Sequence, residues 1–163
     1  YWSGGPSCHG TKKLGDDNGC FEAALASVRR WGGVLEHPAD SHAWRAFGLL
    51  APPRNGGWVS AGDWRGWTCC VEQGHYGHLA RKATWLYAVG CDLPELKWGK
   101  SEAKMRLDDG FHTTEERRRA VRRGVAPRLP AKQSAVTPQP FRDLLIAMAR
   151  SVATDLRTPR EAA

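Results

Sequence analysis

The sequence predicts an α/β fold built on a piece of parallel sheet, followed by a basic extension and a C-terminal helix. Three observations predict it. The segment CFEAALASVRRW repeats apolar residues at helical spacing and runs straight into Trp-Gly-Gly and the apolar pair Val34-Leu35, the helix, tight turn and buried strand of an α/β unit. Two further runs, TCCVEQ and TWLYAV, have the length and β-branched or aromatic content of strands. Finally, positions 97–132 hold eleven Lys and Arg against five Asp and Glu, in a chain whose net charge is only +7.

The elements follow in order. GDDNG is a loop in which Asp17 or Asn18 caps the first helix, whose apolar face is Phe21, Ala24, Leu25 and Val28. The strand at Val34-Leu35 closes with Glu36-His37-Pro38, so polar residues stand at its carboxyl end, where ligands of α/β sheets bind. SHAWRAFGL is a short helix, and PPRNGGWVSAGDWRGW is a loop rich in Gly, Pro and Trp. The strands over 68–73 and 84–89 flank the donor-rich loop GHYGHLARKA and are expected to pair as an antiparallel hairpin at one side of the sheet. Thr113 caps a helix over TTEERRRAVRR, with Glu115 and Glu116 favouring its N-terminal end. Pro127 and Pro130 break the chain. In the last helix Phe141, Leu144, Leu145, Met148 and Val152 form one stripe that packs back on the core. The expected organisation is a core over 1–96, a basic, partly irregular extension over 97–133, and the C-terminal helix over 134–156.

Composition narrows the function. The 163 residues are 41% hydrophobic with eight Trp, enough for one domain with a real core. The five cysteines, Cys8, Cys20, Cys69, Cys70 and Cys91, include no C-x-x-C pair, so neither a zinc site nor any other metal is expected. No secretory signal or apolar run near twenty residues is visible, so the expectation is a cytoplasmic protein without a membrane span. A concentrated basic segment suggests a polyanionic partner, most simply nucleic acid, or else a solvated linker.

Three stretches carry chemistry: GGPSC over 4–8, VLEHP over 34–38, and HYGHLARKATWLYAVG over 75–90. In this order they resemble the cytosine-5 DNA methyltransferase family, with its Pro-Pro-Cys loop, its strand ending Glu-Asn-Val or Glu-Asn-Pro, and its Tyr-Gly-x-Pro-Gln-x-Arg-x-Arg segment leading to an apolar strand and Gly. The stretches GGVLEHP and GHLARKATWLY are closer still to short phage-type relatives lacking the S-adenosylmethionine-binding half. The resemblance covers about residues 3–90 and implies a partial Rossmann-like methyltransferase sheet in a bacterial or phage-infected host. Ser7, His37, Ala80 and Thr84 depart from the family pattern.

The resemblance implies a DNA pyrimidine methyltransferase-like activity. Cys8 matches the nucleophile that attacks carbon 6 of a flipped base, Glu36 the glutamate that grips the base, and Lys82 the first Arg of the Arg-x-Arg pair. His9 or Lys82 is the cation that would lower the Cys8 pKa. His9, His37 and Arg81 are further base or DNA contacts. Trp64 and Trp67 would line the gap left by the base. Arg118, Arg119, Arg122 and Arg123 lie four apart in pairs and would meet phosphates. The implied methyl donor is S-adenosylmethionine, but no Gly-rich strand–turn is present to hold it. This chain alone is therefore expected to bind it weakly or not at all, its site being completed by a partner chain or a missing N-terminal segment. The alternative is a catalytically inactive, nucleic-acid-binding accessory protein that kept the sheet. Its phosphate contact is then Arg117–Arg123; the blander reading of single residues makes Cys8 a plain thiol and Arg81 and Lys82 solvated cations.

Overall fold

The computed structural model describes residues 17–107, 113–125 and 128–152. It is a mixed α/β structure around one four-stranded sheet. Helix α1 (Cys20–Trp31) is opened by Asp17, whose carboxylate accepts from the backbone N–H of Gly19 at 3.2 Å and Phe21 at 2.9 Å. Its buried face is Phe21 and Leu25. Gly32, at φ 76, ends the helix in a conformation that costs a Cβ-bearing residue energy, and turns the chain into β1 (Gly33–Pro38). Ser41 caps the short helix α2 (His42–Ala46) by accepting from the Ala43 N–H. The Gly/Pro/Trp loop contains a two-residue strand, β2 (Val59–Ser60), which pairs with β3 (Trp67–Glu72). A single 3₁₀ turn (Gln73–Tyr76) follows, then β4 (Ala83–Val89).

The strand order is β1-β4-β3-β2, and all three pairings are antiparallel. This corrects the expected parallel sheet. The reason lies in the connections and in the partner of β1. The ten residues between β3 and β4 allow only the antiparallel return already expected there, and β1, the strand read as part of a parallel unit, hydrogen-bonds β4 and not β3, the strand that shares its direction. The predicted β3–β4 hairpin forms, but it does not sit at one side of the sheet: β4 is central, with β1 on one flank and β3 on the other. As β4 is antiparallel to both, β1 and β3 run in the same direction.

Strand alternation divides the core in two. Cys70, Trp85, Tyr87 and Val89 face α1 and α2, where they meet Phe21, Leu25, Ala43 and Trp44. Cys69, Val71 and Leu86 face Phe141 of α5 (Gln139–Arg150) and Leu96, with Leu144 and Leu145 packed alongside. Phe141, Met148 and Val152 are buried, so the last helix packs back on the core as its stripe predicts. Thr113 caps α3 (Thr114–Arg122) in a full capping box with Glu116. A short helix not foreseen from the sequence, α4 (Ala131–Ala135), follows Pro130.

One polar strut crosses this architecture. The hydroxyl of Tyr87, a residue with no solvent exposure, donates to Asp63 Oδ2 at 2.6 Å. Asp63 also accepts from Arg29 Nε at 3.0 Å and from the Gly66 N–H at 2.9 Å. Strand β4, helix α1 and the 61–66 loop are thereby joined at one carboxylate. Burial alone would disfavour the Asp63 charge, but Tyr87, Gly66 and Arg29 outweigh it and hold its pKa below the ordinary 3.8. Burial, with the Asp63 bond, pushes the Tyr87 phenol up to about 12.

Tyr87→Phe removes a bond to a charged group and is expected to lower stability by about 1.5–3 kcal/mol in urea denaturation. Because the folded Asp63 pKa is depressed, its contribution is present above pH 3.8 and is lost as pH falls through the folded value. The difference between wild type and variant should therefore shrink on acidification. Gly66→Ala would drive a Cβ into the Tyr87 ring, and the overpacking should cost about 1–3 kcal/mol.

Candidate functional site

The register brings three strand ends to one edge. Pro38 of β1 pairs with Thr84, and Glu72 of β3 pairs with Ala83. The carboxyl ends of β1 and β3 therefore flank the amino end of β4. Glu36 lies there on the α5 face, opposite Leu86 and on the same side as Thr84. Gln73, fully buried, follows β3 directly. Its Nε2 donates to Glu36 Oε1 at 3.2 Å and to Thr84 Oγ1 at 2.9 Å. Its Oε1 is buried without a partner, leaving one unmet acceptor beside the Glu36 carboxyl.

Lys82 completes the group from the last position before β4. Its φ of 44 lies in the left-handed region, uncommon for a non-glycine residue and compatible with a functional position. The backbone holds it there: the Gln73 N–H donates to the Lys82 carbonyl at 3.2 Å, and the Gly74 N–H to the Arg81 carbonyl at 3.1 Å. The Lys82 ammonium donates to the carbonyls of Ala135 and Val136, at 3.2 and 2.9 Å, at the C-terminal end of α4.

Burial pushes the Glu36 carboxyl above its ordinary 4.5, while the Lys82 charge and the Thr84 hydroxyl draw it back. Burial likewise lowers the Lys82 pKa, with Glu36 opposing. The pair is thus an acid inclined to keep its proton and a cation inclined to lose one, a pattern found at sites of proton transfer.

The predicted residues divide. Glu36 and Lys82 are brought together, and Arg81 stands exposed beside them. His37 is not brought into this group. Successive strand residues face opposite sides of a sheet, so His37 points to the α1–α2 face. There its ring packs against Phe21 at 4.9 Å and Trp44 at 6.2 Å, and its Nε2 bonds Ser41 Oγ at 2.8 Å. Burial lowers its pKa. Trp64 and Trp67 lie toward the other end of the sheet. Trp67 opens β3, five residues and so about 17 Å from Glu72 along the strand. They do not line the space around Glu36. Trp64 is 85% exposed with φ 60, and the Arg65 guanidinium lies 4.4 Å from its ring. Arg118, Arg119, Arg122 and Arg123 are exposed at α3, with Arg119 paired to Glu115 at 3.1 Å. Cys8 and His9 lie outside the described residues, and with them the separation of Cys8 from Glu36.

Sequence reasoning missed Gln73, read only as the end of a strand. It also missed the role of Glu72, whose Oε2 accepts from the Ser101 N–H at 2.7 Å and from the Ser101 hydroxyl at 2.9 Å. The one local signal was Gly74 after the strand: a Cβ there would strike Ser101 and Ala103, so glycine marks the close approach of a distant segment.

No family model matches the chain, and comparison with curated proteins and with solved structures finds no significant match. Among the described residues, no cluster of three or more His, Cys, Asp or Glu is arranged to hold a metal ion. No helix among them is long and apolar enough to cross a membrane.

Two measurements address the Glu36 environment. Gln73→Leu removes a donor to the carboxyl, so the Glu36 pKa should rise further, as read by carboxyl-carbon NMR titration. In Glu36→Gln the residue stays neutral at all pH. The folded pKa of Glu36 is raised, so the wild type is at full stability below the ordinary 4.5 and loses stability as pH rises through the folded value. Melting curves should show the variant gaining on wild type between acid and neutral pH.

Proposed function

We propose that this chain is a cytosine-5 DNA methyltransferase-like protein, in which Glu36 grips a flipped pyrimidine and the Cys8 thiolate attacks carbon 6. The observation that carries the reading is the half-buried carboxyl of Glu36 toward the carboxyl end of β1, steadied by Gln73 and set beside Lys82. The motif order supports it, since Glu36 of the Glu-His-Pro stretch and Lys82, which follows the Tyr-Gly pair, stand at one edge of the sheet although some forty residues of sequence separate them.

The chemistry follows from these groups. The thiolate sulfur bonds to carbon 6, and the carbon 5–carbon 6 electron pair shifts toward carbon 5 and the ring. A carboxyl that keeps its proton can donate to the ring nitrogen and stabilise the charge that develops there. Lys82 balances the carboxylate left behind. Carbon 5 is then nucleophilic and can take a proton or a one-carbon electrophile. S-Adenosylmethionine would supply a methyl group, but the described residues do not fit it: β1 runs into Ala39-Asp40 and the five-residue α2, β3 into one 3₁₀ turn, and β4 into Gly90-Cys91. None opens a longer helix through a Gly-rich turn. That gap favours the second reading, a protein that binds DNA through this sheet without methyl transfer.

A reaction that needs no methyl donor separates the two. Addition at carbon 6 makes the hydrogen on carbon 5 exchangeable. The protein should therefore catalyse deuterium uptake at cytosine carbon 5 of a DNA duplex in D₂O, read by mass spectrometry. Cys8→Ala should abolish it, and Glu36→Gln should slow it by about 10²–10⁴-fold. DNA binding without any exchange would leave the binding reading and remove the catalytic one.

A further inference from the structure

We infer that the DNA backbone is held in a basic cleft between the loop before β4 and the 100–107 segment, and not on the arginine face of α3. The inference rests on the reading of a DNA substrate at Glu36 and specifies where its phosphates lie.

The cleft measures about 810 Å³, and its charged lining is Arg81, Lys82, Lys100, Lys104 and Arg106 against Glu102. It borders the Glu36 site directly, because Lys82 belongs to both. Its far wall is anchored. Glu72, at the end of β3, takes two hydrogen bonds from Ser101. The Met105 N–H donates to the Leu79 carbonyl at 3.1 Å, and Ala80 bridges Met105. The Leu129 N–H donates to the Arg106 carbonyl at 2.8 Å. A segment that sequence alone describes as irregular is thus fastened to the site end of the sheet.

Three of these charges are not neutralised within the described residues. Arg81, Lys100 and Lys104 are exposed, and none of their side chains makes a hydrogen bond or ion pair with another described residue. Lys82, by contrast, is committed to the carbonyls at the C-terminal end of α4. Like charges gathered around a concave surface repel one another and focus a positive potential into the cleft. A bound polyanion relieves that repulsion. Helix α3 presents a different case: its charges stand on a convex face, and Arg119 is already paired with Glu115. A strand lying in the cleft would have its phosphates on Arg81, Lys100 and Lys104 and could turn one base toward Glu36. Phosphate contacts of this kind position the strand without reading its sequence.

The test is the salt dependence of binding to a short labelled DNA duplex, measured by fluorescence anisotropy. Each phosphate contact contributes roughly −0.9 to the log–log slope. The triple variant Arg81→Gln, Lys100→Gln, Lys104→Gln should therefore bind with a slope shallower by about 2 to 3. All three residues are exposed, so folding is not at stake, and circular dichroism verifies it. The quadruple variant Arg118→Ala, Arg119→Ala, Arg122→Ala, Arg123→Ala should keep the wild-type slope. A wild-type slope in the triple variant, or the loss appearing in the α3 variant instead, overturns the cleft while leaving the Glu36 site and its deuterium exchange untouched. Absence of wild-type binding even at low salt defeats the cleft and the DNA reading together.

Discussion

The central placement of β4 is the constraint on which the rest depends. A strand returning through ten residues must run antiparallel to β3, and its free side then accepts β1, also antiparallel. Two strands of the same direction are thereby held apart by one of the opposite direction. Their carboxyl ends converge on the start of β4, and every group at the site is a consequence. Glu36 comes from β1, Gln73 from the end of β3, and Lys82 and Thr84 from the approach to β4. A different order of the same strands would scatter them.

The site is built on buried polar groups that answer one another. Gln73 spends its amide hydrogens on Glu36 and Thr84, and its amide N–H and that of Gly74 fix the backbone at Lys82 and Arg81. Such a cluster is costly to desolvate and holds a definite geometry only when its members are satisfied. One acceptor, Gln73 Oε1, is not.

The opposite end of the sheet is organised differently. There the Tyr87–Asp63–Arg29 strut ties the 61–66 loop to the core, and the loop displays Trp64 to solvent. Rigidity at that end comes from one partly buried charge with three donors, a stronger arrangement than neutral hydrogen bonds. At the Glu36 end the ties run outward to the 99–106 segment. The two ends therefore share the sheet but not the kind of tie that holds them.

Much of this was legible in the residues. The helical spacing of Phe21 and Leu25, the Thr113 capping box, and the stripe from Phe141 to Val152 are local patterns, and local physics realises them where they stand. The placement of Glu36 and Lys82 at strand ends was legible too, through the motifs that surround them. The antiparallel β3–β4 pairing was legible from its short connection, but the direction of β1 in the sheet was not, because an apolar run of strand length looks alike whether it pairs parallel or antiparallel. The face of His37 followed only from the register, since one step along a strand reverses a side chain. Gln73 and the anchored wall of the cleft lay beyond local reading altogether. Glu72 and Ser101 meet across 29 positions of chain, and a contact of that range leaves no periodicity in the sequence. The local sequence determined the elements and the chemically able residues, while tertiary pairing decided which of them share a site, because only the sheet sets their distances.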